Sequence, residues 1–149
     1  MIIAGTLTPE QQARSRRNYL FFNAMNGFSY MCVGDTVIIL LAVRLDCPNS
    51  FIAILGSMVY FGYLLLPLGK VVTARVGAAQ SQSTFWILRN GAALTVGTTP
   101  ILSVLGYHQA ALTVMMTGAF LFYGFRAAGV IMGQPLIGEI TTQENRASF

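Results

Sequence analysis

Charge is what this 149-residue chain has least of. Only 9% of it is Asp, Glu, Lys or Arg, against about 25% in an ordinary soluble domain. A soluble fold of this size needs charge to cover its surface, so the deficit argues against that class. Cysteine is nearly missing too. Cys32 and Cys47 are too few for a disulfide framework, and no CxxC or other metal-ligand spacing occurs. No metal is therefore expected. The chain also lacks a nucleophile elbow, an HExxH, a P-loop and a GxGxxG following a strand. Neither an enzyme nor a cofactor is expected. The first 17 residues hold Thr8, Pro9, Glu10 and three arginines, with no short apolar core before a small-residue cleavage site. That composition argues against a removed signal peptide and makes the first apolar span an uncleaved anchor. With no low-complexity tract and no linker, the chain reads as one domain or part of one.

What fills the sequence is apolar. Hydrophobic residues make up 54% of it, and the mean hydropathy is +0.62. The net charge of +4 and pI near 9.4 do not describe a nucleic-acid patch, which needs clustered Lys and Arg. Here the basic residues stand scattered at the ends of apolar runs, so no nucleic-acid partner is expected, and the lipid bilayer is. After a polar leader over 1–17, four spans are predicted at about 18–43, 47–69, 83–106 and 109–138. Each reaches the roughly 20 residues that cross about 30 Å of hydrocarbon. Arg14, Arg16, Arg17, Lys70, Arg75, Arg89 and Arg146 then share one side, against Arg44, which Asp46 offsets. By the positive-inside rule both ends are cytoplasmic. The fold class is thus an all-α, multi-pass integral membrane protein of four transmembrane helices, in the cell membrane (the inner membrane if bacterial). Connections of about thirteen residues inside (70–82) and a few outside make successive helices antiparallel neighbours. Trp86 near the inner face and Tyr107 near the outer fit interfacial aromatic belts.

Arg126 interrupts this pattern. Residues 90–125 carry no charge, and after Arg126 the run continues uncharged to Gly138. A guanidinium deep in a span costs about 2.5–3.5 kcal/mol on insertion scales, so it faces a bundle interior or a wet cavity and finds a partner. The one acid deep in an apolar span is Asp35 on the first helix, and an Asp35–Arg126 ion pair is expected. It is either a purely structural pair or one whose carboxylate exchanges protons. On the first helix Asn23, Asn26, Gly27, Tyr30 and Gly34 fall within about 100° of arc. Such a polar stripe faces protein or water, as interhelical hydrogen bonding or as the lining of a solute or ion route. Gln134 beside Pro135 is a further lining candidate.

Gly129 and Gly133 form a GxxxG suited to close helix packing. Pro67, Pro100 and Pro135 mark kinks. Cys32 reads as a small buried hydrophobe, Met115 and Met116 as lipid- or core-facing, and His108 as an outer-interface loop residue with no second ligand nearby.

The order of these features resembles the amino-terminal half of a major facilitator superfamily (MFS) transporter. The fourth span carries Arg126-Ala-Ala-Gly129, then Gly133, Pro135 and Glu139, followed by Glu144-Asn-Arg146. This is similar to that family's fourth-helix motif and the acid–Arg loop leading into its fifth helix. The connection between the second and third helices keeps Arg75 and Gly77 of the family's Gly-x-x-x-Asp-Arg-x-Gly pattern. Lys70 stands at the first Gly, and Ala74 stands where the Asp would be. The resemblance implies an N-terminal six-helix bundle of inverted three-helix repeats, here reaching the start of helix five, with the remaining C-terminal helices as partners. It also implies a secondary active transporter that moves a small solute by alternating access, with Arg126 in proton coupling and Asp35 as its partner. Two other readings stay open: a self-contained four-helix dimeric multidrug exporter, and a non-transporting four-span adaptor.

Overall fold

The structure is a computed structural model and describes residues 8–141. Within that range it is all-helical, with no strand. The helices are α1 (Pro9–Val33), α2 (Asp35–Arg44), α3 (Asn49–Gly62), α4 (Leu66–Val76), α5 (Ala78–Gly97), α6 (Thr99–Val104), α7 (His108–Val130) and α8 (Gly133–Ile140). Among the described residues, three stretches are long and apolar enough to cross a membrane: Pro9–Arg44, Asn49–Val76 and His108–Val130. The expected third span divides into α5 and α6 and does not join them. Helix α5 carries Gln80, Gln82, Arg89 and Asn90, which dilute the hydropathy.

Helix boundaries follow local chemistry. Thr8 caps α1: its hydroxyl accepts from the Gln11 amide, and the Gln11 side chain accepts from the Thr8 amide. This is a capping box, with Pro9 at the first helical position. Helix therefore begins inside what the sequence presented as a leader. The breaks farther on lie just before the prolines. A proline cannot donate to the carbonyl four residues earlier. Before Pro67, the Tyr63 carbonyl accepts instead from the Leu66 amide, through a 3₁₀ turn over Tyr63–Leu65. Before Pro100, the Val96 carbonyl accepts from the Thr99 hydroxyl at 2.6 Å. Before Pro135, α7 ends at Val130 and the chain turns through Ile131 and Met132 into α8. The expected kinks are thus helix breaks, and the fourth span is two helices.

The connection from Lys70 to Gln82 is a correction to the expected thirteen-residue loop. It is helical except at Gly77, which stands alone between α4 and α5 with φ 88° and ψ 161°. That backbone region is essentially closed to residues with a Cβ. Beside the turn, Thr73 donates to the Gly69 carbonyl at 2.7 Å and pairs with the buried Ser81 hydroxyl at 2.9 Å. Lys70 and Arg75, on α4, are exposed.

Helix α7 is the axis of the bundle, packed by α3, α4, α5 and α6. Small residues allow the approach: a Cβ on Gly62 would lie 2.7 Å from the Tyr123 backbone, and one on Gly69 2.5 Å from the Ala128 carbonyl oxygen. Gly129 of the GxxxG packs on α5, where a Cβ would sit 3.3 Å from Phe85. The core comprises Ile38, Leu55, Met58, Val96, Met115 and Phe122 with their neighbours. Helix α1 stays at the margin, without one buried residue. Cys32 is accordingly exposed, which corrects the buried expectation. It sits two positions, or 200° of helix, from the inward-facing Tyr30.

Candidate functional site

The site begins where the first span breaks. Gly34 is extended (ψ 178°), and its carbonyl accepts from the Val37 and Ile38 amides to start α2. A side chain there would collide with the Tyr30 carbonyl, 2.9 Å from the added Cβ. Asp35 is thereby the first residue of α2, where the positive end of the helix dipole favours a carboxylate by about 0.3–1 kcal/mol.

Asp35 and Arg126 form no ion pair, contrary to the sequence expectation; Tyr30 stands between them. Its hydroxyl donates to the Asp35 carboxylate at 3.1 Å, and its ring lies under the Arg126 guanidinium, 4.3 Å from centroid to Cζ. The Tyr123 phenol approaches the same carboxylate from α7. A guanidinium on an aromatic face gains about 0.5–2 kcal/mol depending on desolvation, so one ring answers both charges. Phe122 fixes that ring from behind, nearly parallel at 7° and 6.3 Å.

Arg126 also opens onto a cleft of about 130 Å³, lined by Val59, Tyr63, Leu66, Tyr123, Arg126 and Val130 among others. Among the described residues, its guanidinium makes no hydrogen bond and no ion pair.

Arg89, which the charge count assigns to the inner side, is an interior residue: it is 1% exposed, among the largest fully buried side chains. Its Nη1 donates to Asn26 Oδ1 at 2.5 Å, and its Nη2 to Asn90 Oδ1 at 2.8 Å and to Ser29 Oγ at 3.3 Å. Its Cζ lies 4.3 Å over the Trp86 ring. Trp86 is therefore an interior residue against Phe22 and Arg89, not an interfacial belt residue. No acid reaches Arg89 among the described residues. The signal in the sequence was the pairing of Asn26 and Ser29, three apart on one helix face, with the adjacent Arg89-Asn90 in an otherwise apolar stretch.

The structure divides the residues of the α1 stripe. Asn26 and Tyr30 point inward and make these bonds, whereas Asn23 is exposed and apart from them. The side chains of Gln134 and Pro135, and all of Glu144 and Arg146, lie outside the described residues. A Cβ on Gly133 would face the Tyr19 hydroxyl at 3.5 Å. Among the described residues, no cluster of three His, Cys, Asp or Glu side chains could hold a metal. No protein family, curated protein or solved structure matches the chain.

Proposed function

We propose that the chain is the N-terminal, four-span portion of a secondary active transporter of the MFS type. In this reading it sits in the cell membrane with both ends cytoplasmic and moves a small solute by alternating access, with proton coupling. One observation carries the proposal: an arginine in the axial helix of an apolar bundle, without an ion pair among the described residues and open to a cleft, joined through Tyr30 to an acid at a helix break. Ionisable groups this deep mark solute and ion routes. Broken helices are where transporters expose backbone and dipole ends to cargo. In this reading α5 and α6 form the third of the four crossings, with Arg89 of α5 turned inward.

In this reading Tyr30, bonded to Asp35 through its hydroxyl and to Arg126 through its ring, is what would link the acid to the cleft. The test is solute-driven flux by the gene product carrying this chain, reconstituted in proteoliposomes with a panel of carboxylates, sugars and cationic drugs. Asp35→Asn and Arg126→Gln should each reduce flux at least tenfold at matched protein levels. Full flux in both variants would overturn the reading.

A further inference from the structure

The cleft at Arg126 also says what it selects. Its polar groups are the Arg126 guanidinium and the phenols of Tyr63 and Tyr123, while Val59, Leu66 and Val130 supply apolar wall. Among the described residues, neither Asp35 nor any other acid lines it. An unpaired guanidinium between apolar walls is incomplete as an electrostatic arrangement: its five donors have a fixed fork that a carboxylate satisfies with two parallel bonds. The walls then need an apolar body behind the carboxylate. The cleft, about 130 Å³ and open at its rim, is close in scale to the closed apolar cavity of about 150 Å³ that accommodates benzene, so a body of about that size fits with its edge in the opening.

We infer that the cleft binds a small monocarboxylate with a compact apolar body, the carboxylate on Arg126 and the body against Val59, Leu66 and Val130. This rests on the transporter reading and names its solute class. A cation is disfavoured by Arg126, and a sugar would leave the apolar walls unmatched.

Binding is measured without flux, on the purified chain in phosphatidylcholine nanodiscs, by isothermal titration with sodium benzoate and with benzamide as the neutral isostere. Benzoate should bind saturably and at least tenfold more tightly than benzamide. Arg126→Gln should weaken benzoate at least tenfold and leave benzamide unchanged. Val130→Trp narrows the cleft from its exposed rim without touching the guanidinium, and should abolish benzoate binding even if Arg126→Gln fails to fold. Equal affinity for benzoate and benzamide overturns the inference, as does benzoate binding that survives both substitutions. A fatty acid offers the same carboxylate. Laurate in the discs that displaces benzoate at far lower concentration would assign the site to lipid and overturn the small-solute inference. The two proposals fail separately. Benzoate binding without flux of any solute sinks the transporter and keeps the site. Flux of a sugar or cation that depends on Asp35 and Arg126, without benzoate binding, does the reverse.

Discussion

Asn26→Ala tests how α1 is held. That helix buries none of its own residues, so its hold on α5 rests on the Arg89 bonds to Asn26 and Ser29, on the Ser29–Asn90 bond and on the Phe22–Trp86 ring contact. The substitution deletes the shortest of four bonds around a guanidinium that is 1% exposed. Hydrogen bonds to charged groups contribute about 1.5–3 kcal/mol, whereas interhelical bonds in membranes average about 0.6 kcal/mol. The charged range should win here, because the helical bundle offers Arg89 no acid and a dry Nη1 cannot find water instead. We expect a loss of about 2 kcal/mol, measured by equilibrium unfolding in mixed detergent micelles. Arg89→Met alone should also destabilise, since it leaves the Asn26 side chain without its partner. The double variant should lose about 1–2 kcal/mol less than the sum of the singles. Asn26→Asp, which sets a carboxylate against Arg89, should equal or exceed the parent. Strict additivity of the two single variants, or an Asn26→Ala protein as stable as the parent, would refute the latch.

Tyr30→Phe keeps the stack beneath Arg126 and removes only the hydroxyl bonded to Asp35. A double-mutant cycle between Asp35→Ala and Arg126→Ala should give a coupling near 1 kcal/mol in the parent and none in a Tyr30→Ala background, because the two charges meet only through that ring. Gly69→Ala should destabilise by about 1–3 kcal/mol through collision with the Ala128 carbonyl. Gly27→Ala, with open space around it, should stabilise by about 0.5–1 kcal/mol; chemical unfolding of both reads the opposite signs. Gly77→Ala should cost about 1–3 kcal/mol from backbone strain alone, although a Cβ there meets nothing within 4 Å.

The apolar segments were legible because length and hydropathy are properties of composition, and the proline breaks because a missing N–H is local. Arg126 was legible as an isolated charge. What the sequence hid was three-dimensional pairing. Counting arginines by distance from a span edge put Arg89 at a surface, since nothing in a linear count reveals that Asn26 and Ser29 lie across from it. Opposite charge likewise suggested a direct Asp35–Arg126 contact. The aromatic ring between them carries no formal charge, so an argument from charge alone passed over Tyr30. The inner connection read as loop because Lys70, Arg75 and Gly77 are loop-like residues. Helix propensity on both sides, with one glycine as pivot, was the better account.

The Arg89 latch also has a consequence for the order in which the chain assembles. Its two halves, Asn26 and Arg89, are 63 residues apart. At synthesis rates of about 5–20 residues per second, α1 exists for about 3–13 s before its partner emerges. During that interval Asn26 and Ser29 have no guanidinium to receive, and α1 has no buried face of its own to hold it in place. Contacts local in sequence favour early closure of the α4–α5 hairpin about Gly77, and the latch on α1 can close only once Arg89 has been made.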